Sequence, residues 1–374
     1  PLDLLDEGPW FRFPSFAAYL EELRSRPAAI NAACLVGHST LRIRTMDELA
    51  RPANANEVAH MQELAREALQ AGAIGISTGT YYPPAAAAPT QELIEVCRPL
   101  REHGGVFVTH MRDESEQVID SLDETFLIGR ALGVPVVISH HKVAGVANFG
   151  RSKETLAHIA RHLPQQPIGL DCYPYAASST VLSADRLKSA TRVLVTWSKP
   201  HPEFAGMELG VVAQRMGVSV EAAAQRLLPA GAIYFSMHED DVRRILAFDE
   251  TMIGSDGLPH DAFPHPRLWG TFPRVLGHYA REVGLFDLET AVHKMTGLPA
   301  AKLGLAQRGS IQPNYYADLV LFDAETVADA ATFEQPLQPA AGVRSVFVNG
   351  KCAWDKSRAT GTRNGRVLSH SDAA

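Results

Sequence analysis

Three side chains have the chemistry of metal ligands or acid–base groups: His110, His140 and Asp256. Each closes a short apolar run: Val106-Phe107-Val108-Thr109-His110, Val136-Val137-Ile138-Ser139-His140, and Thr251-Met252-Ile253-Gly254-Ser255-Asp256. Imidazole and carboxylate suit zinc, and a catalytic zinc usually takes about three protein ligands and a water. A carboxylate beside an activated water can take its proton and return it to a leaving group, a role open to Asp256. A single histidine at a strand end is most often a hydrogen-bonded rim residue, and an Asp after a strand is often a helix cap. Three such groups in one layer, flanked by Thr109, Ser139 and Ser255, favour a site. Lys142, Tyr173, Tyr175, Ser178, Ser179 and Arg267 put donors near the same run ends; taken singly, each is an ordinary surface or structural residue. An arginine fork with hydroxyls beside it suits a carboxylate. Gly75 and Gly79 do not make a phosphate loop, because no Lys-Ser/Thr follows. His38 reads as structural or supporting, and His60, His103, His158, His162 and His278 carry no expected role.

These side chains need elements that lift them to a common rim. The runs ending at His110 and His140 are β-branched and unbroken, as in strands buried on both faces of a parallel sheet. Between them Val118, Ile119, Leu122 and Phe126 recur at helical spacing, then Gly133 and Pro135 close the helix. Strand, helix, strand is a βαβ unit, so both histidines emerge at carboxyl ends, where parallel α/β folds hold their chemistry. The same rhythm places strands at 30–36, 73–77, 168–173 and 251–256, with helices at 16–23, 58–69, 90–103, 152–163, 270–283 and 288–296, the last capped by Asp287. Residues 176–250 interrupt it with turns and two helical stretches near 219–228 and 239–248, which predicts an inserted lid subdomain. After Gly309 short strands and the Asn349-Gly350 hairpin signal predict a small β domain over 309–374. Six parallel strands fall short of a (β/α)8 barrel, so residues 1–175 and 251–308 read as a barrel whose first two strands would precede Pro1.

Composition narrows the class. The chain has 374 residues, 46% of them hydrophobic, and a formal net charge of -7, which argues against a nucleic-acid partner. No apolar stretch approaches the roughly 20 residues of a membrane span. Cys34, Cys97, Cys172 and Cys352 lie far apart without zinc-knuckle spacing, as expected of buried thiols in a reducing cytoplasm.

At these residues the chain resembles the amidohydrolase superfamily, and closely its N-acyl-D-amino-acid deacylase branch. The likeness runs from Pro1 to about Leu368, through Asn31 to Leu41, Gly75 to Pro84, Thr109 to Glu114, Ser139 to Val143, Asn148 to Glu154 and Gly254 to Leu268. It implies a metal-bearing barrel, a β-sandwich built from both chain ends, and an inserted segment covering the site. It implies zinc, one ion held tightly and a second, weaker site, with His110 and His140 as ligands and Asp256 as general base and acid. Lys142, Tyr173, Ser179 and Arg267 would hold the α-carboxylate of an N-acyl-D-amino acid, and Tyr82 would reach the scissile carbonyl. The family pattern also has a first-strand His-x-His and a second-strand cysteine ligand, and none of the four cysteines is placed to be it. Two further readings stay open: a cyclic-amide hydrolase of hydantoinase type, and a truncated homologue without catalysis. Oligomeric state is not legible.

Overall fold

The computed structural model describes residues 12–259, 261–356 and 358–369, so residues 1–11 and the last residues of the β domain expected over 309–374 lie outside it. Its centre is a six-stranded parallel sheet. In spatial order the strands are Leu35–Gly37, Gly75–Gly79, Val106–His110, Val136–Ile138, Ile168–Cys172 and Thr251–Ile253. Register aligns the carboxyl ends: Gly79 faces His110, Thr109 faces Ile138, Ile138 faces Leu170 and Cys172 faces Ile253. Chain order and spatial order coincide for all six, as expected when each crossover helix returns the chain to the next parallel position.

Helices cover this sheet because their apolar stripes have the right period. Met61, Ala65, Ala68 and Leu69 of the helix Ala55–Ala71 are buried, as are Val118, Leu122, Phe126 and Leu132 of Val118–Leu132. Each large aliphatic or aromatic side chain so buried contributes roughly 1.5–3 kcal/mol. The first helix starts in a capping box between Asn54 and Glu57 and stops at Gly72, whose φ of 119° suits glycine. The helix expected over 90–103 is two pieces, Thr90–Val96 and Leu100–His103, with Pro99 at the start of the second. Proline has no N–H for a continuous ladder, which explains the break.

Within the expected insertion, Ser178–Val181, Val193–Ser198 and Ala230–Tyr234 form a separate antiparallel sheet. Helices Leu209–Met216 and Val220–Leu227 close over it, around Leu209, Val212, Ala224 and Leu227. The helix Glu239–Ala247, also expected in that segment, packs elsewhere. Its Val242, Ile245 and Leu246 join the core of the parallel sheet, making it the crossover between the last two parallel strands. The tail carries a four-stranded antiparallel sheet of Leu319–Phe322, Val343–Val348, Lys351–Asp355 and Arg358–Ala359. Its Asn349-Gly350 turn has φ of 47° and 81°, the left-handed pair a two-residue hairpin requires. Ala32–Ala33 pair with Val367–Leu368, joining the two ends of the described chain.

Candidate active site

His110 is the last residue of its strand, and His140 stands two residues beyond Ile138. The turn carrying His140 is held from the next strand. Asp171 Oδ1 accepts the His140 backbone N–H at 2.8 Å, and His140 takes φ of 41°. Asp256 shares that backbone region with φ of 46°, so both rim residues sit in a conformation that packing must sustain. Gly254 is required beside them, since a Cβ there would lie 2.6 Å from Asp171 Oδ1.

The two imidazoles converge. His110 Nδ1 and His140 Nε2 are 2.9 Å apart, near the separation of two nitrogens sharing one zinc at about 2.0–2.1 Å. Burial lowers the His110 pKa to about 3, so its ring is neutral and its lone pair available. His110 Nε2 is buried without a hydrogen-bond partner. Glu114 completes the group, with ligand atoms of His110, Glu114 and His140 all within 4.8 Å of one another. Its Oε1 lies 3.0 Å from His140 Nδ1, poised to accept the Nδ1–H and leave Nε2 for an ion. Lys142 Nζ donates to the same oxygen at 2.6 Å and lies 2.7 Å from His140 Nδ1. Burial would raise the Glu114 carboxyl, but Lys142, His110 and His140 outweigh it and hold it well below the usual range.

The other predicted residues lie around this cluster in two groups. Asp256 is outside the His110–Glu114–His140 group among the described residues; its Oδ2 is instead 2.7 Å from Arg267 Nη1. Arg267 is 1% exposed, covers the Tyr173 ring at 4.5 Å, and donates from Nη2 to the Ser179 carbonyl at 3.2 Å. Tyr173 Oη and Ser179 Oγ are buried with no hydrogen-bond partner, and burial raises the Tyr173 phenol well above its ordinary value. Tyr82 packs its ring 4.9 Å from His110, with its hydroxyl 3.2 Å from Thr180 Oγ1. A cavity of about 390 Å³ opens alongside, lined by Tyr81, Glu114, Lys142, Ser178, Arg186 and Tyr234. Lys142 therefore faces Glu114 and this cavity, with its ammonium 5.8 Å from the Tyr173 ring.

Residues 155–353 match the amidohydrolase family. The chain is 61% identical over 373 residues to a D-aminoacylase of Alcaligenes xylosoxydans xylosoxydans, covering 100% of this chain and 77% of that protein. It belongs to the D-aminoacylase branch of the amidohydrolases. An N-acyl-D-aspartate deacylase of the same organism is 52% identical over 374 residues, covering all of this amidohydrolase and 75% of that protein. A solved D-aminoacylase, described with a binuclear metal centre, superposes at a TM-score of 0.96 with 63% identity, over 99% of this chain and 78% of that one. The zinc-bound N-acyl-D-glutamate deacylase of Bordetella bronchiseptica, held with a phosphonate mimic of the tetrahedral intermediate, superposes at 0.94 with 45% identity, over 98% and 77%. A Thermus sp. D-hydantoinase, at 14% identity over 95% of this chain and 77% of its own, and a TM-score of 0.53, shares the fold alone.

The donor set of this amidohydrolase fits a zinc-type ion: two neutral-capable imidazoles at ligand spacing, with an ionised carboxylate behind one of them. None of the cysteines joins the cluster among the described residues, and burial raises the nearby Cys172 thiol to about 12. Glu114 and Asp171 were not singled out from the sequence. A signal existed for the first, a carboxylate four residues after His110 in Thr109-His110-Met111-Arg112-Asp113-Glu114. That segment is not helical, so only the folded chain shows that Glu114 turns back toward both histidines. For Asp171 there was none, since it reads as one residue within an apolar strand. His38 proves buried, with Nε2 3.4 Å from Glu92 Oε1, in a cluster with Arg42 that ties two helices together.

Proposed function

We propose that this chain hydrolyses the amide bond of N-acyl-D-amino acids, giving a carboxylate and a free D-amino acid. Zinc held by His110 and His140 would supply Lewis acidity toward the amide carbonyl and the attacking water. Asp256 takes the proton of the water as its oxygen bonds to the carbonyl carbon, and gives it to the amide nitrogen as the C–N bond breaks. Glu114 would hold the His140 ring through Nδ1 and leave Nε2 available to a metal, and Lys142 keeps Glu114 ionised.

The observation that carries the substrate class is a set of buried donors without acceptors beside Asp256. Tyr173 Oη, Ser179 Oγ, and Arg267 Nε and Nη1 all lack a hydrogen-bond acceptor; the 2.7 Å approach of Arg267 Nη1 to Asp256 is an ion pair without hydrogen-bond alignment. Leaving such groups dry costs about 1–3 kcal/mol each. An α-carboxylate is acceptor-only, planar and matched to a guanidinium fork. Anchored there, with Tyr82 against the scissile carbonyl, the substrate presents one face of its α-carbon to the cavity, which gives the choice of hand.

We also read the six-stranded sheet as part of a (β/α)8 barrel and the antiparallel unit within 176–250 as a lid over its rim. The superposition on solved D-aminoacylase over 99% of this chain supports the shared α/β fold on which that reading rests. The four cysteines are unpaired, in keeping with a reducing, cytoplasmic setting. The deciding experiment is Asp256→Ala. Zinc content should stay at the wild-type level while turnover of an N-acyl-D-amino acid panel falls at least about 100-fold. Wild-type turnover in that variant, or preference for hydantoins over acyl-D-amino acids, would overturn the reading.

A further inference from the structure

Two histidines without an expected role, His158 and His162, come together away from the rim. They stand four residues apart on the helix Ser152–His162 and so share a face. Asp123, on the neighbouring helix Val118–Leu132, meets them: its Oδ1 lies 2.7 Å from His158 Nε2. One ligand atom from each of the three lies within 4.8 Å of the other two. A surface His–Asp pair alone needs no metal to explain it. The further geometry here is that of preset ligands.

His162 Nδ1 donates to the His158 backbone carbonyl at 2.9 Å, which leaves the lone pair on Nε2. Arg161 Nη2 lies 3.3 Å from His158 Nδ1, so that nitrogen accepts and Nε2 carries the hydrogen directed at Asp123. Phe126 stacks on both rings, at 5.9 Å and 26° for His158 and 4.6 Å and 29° for His162. The rings are therefore walled from below while the Asp123 carboxylate stays 55% exposed.

We propose that Asp123, His158 and His162 form a second, peripheral site for a divalent transition metal of the zinc class, separate from His110 and His140. The ion takes the place of the hydrogen between His158 Nε2 and Asp123, accepts the His162 Nε2 lone pair, and fills its other positions with water. Two imidazoles and a carboxylate suit zinc, nickel or copper rather than magnesium or calcium. The Arg161 guanidinium opposes the incoming charge, which keeps the affinity moderate. Bound there, the ion fastens the helix that follows the His110 strand to the helix that follows the His140 turn, bracing the two elements that carry the rim histidines.

The test titrates zinc chloride into the full-length holoenzyme, reading uptake by equilibrium dialysis and thermal unfolding in parallel. Wild type should take up one zinc beyond the count of either Asp123→Asn or His162→Gln, and only wild type should gain in unfolding temperature over that range. The variants should bind this ion about tenfold or more weakly, with turnover matching wild type. Arg161→Ala should tighten uptake several-fold, a gain that a damaged fold cannot imitate. Equal zinc uptake by wild type and all three variants would overturn the proposal.

Discussion

Arg267 Nη1 stands 2.7 Å from Asp256 Oδ2, so the residue read as carboxylate anchor and the residue read as base are ion-paired to each other. A substrate carboxylate arriving at Arg267 would compete for the same guanidinium and free Asp256 to face the water. On that reading binding and base activation would be coupled. Arg267→Lys keeps the charge and loses the fork, and should lower kcat/KM by about 10–100-fold, equivalent to one charged hydrogen bond of roughly 1.5–3 kcal/mol. Steady-state kinetics on acyl-D-amino acids would read it, and unchanged kcat/KM would remove Arg267 from the site.

Glu114→Gln should weaken the metal rather than the chemistry. With its charge gone, Lys142 loses an ion-pair partner at 2.6 Å and His140 Nδ1 faces a neutral amide in place of a carboxylate. Zinc affinity should fall about 10–100-fold, and activity should return as zinc is added. A kcat deficit that persists at saturating zinc would place Glu114 in the proton transfer itself.

Glu92→Ala tests the buried cluster away from the rim. The Glu92 side chain is 2% exposed and paired with Arg42, which also donates to the carbonyls of Pro84, Leu49 and Arg51. Removing the carboxylate leaves a buried guanidinium uncompensated, at a cost of about 3–5 kcal/mol. Denaturant unfolding should show this loss while kcat in the cold stays near wild type.

Asp241 links pH to stability. Its carboxylate accepts from Gly150 N at 2.6 Å and Ser152 N at 3.1 Å and pairs with Arg244 at 2.7 Å. Burial raises its pKa, but the bonds from Ser152, Gly150 and Arg244 prevail and leave it below the ordinary value. A folded pKa below the unfolded one means the stabilisation is present above the unfolded pKa, near 3.9, and fades as pH falls through the folded value. Asp241→Asn should therefore cost about 2 kcal/mol at pH 7, and the gap from wild type should begin to narrow as pH falls below about 4. A gap unchanged at pH 3 would refute the linkage.

The parallel strands were legible because runs such as Val136-Val137-Ile138 are too apolar and β-branched for anything but a two-sided buried strand. Their common direction followed from the intervening helix, and with it the meeting of His110 and His140. Local pattern could not say where the interruption of the parallel rhythm stops, because the stripe Val242, Ile245 and Leu246 looks the same whether it packs on the antiparallel unit or on the parallel sheet. Nor could spacing pair Asp256 with Arg267 or turn Glu114 toward His140, since loop backbone rather than period sets those directions.

Asn31 donates to Asp318 and accepts from Asn349 Nδ2 and the Arg366 N–H, next to the pairing of Ala32–Ala33 with Val367–Leu368. On a ribosome, residues near 31 emerge hundreds of peptide bonds before their partners exist. That seam can close only once residues 366–368 have been made, leaving an unmatched edge in the nascent chain until then. Deleting Val367 and Leu368 should hinder maturation of the whole molecule far more than two residues of pairing would suggest.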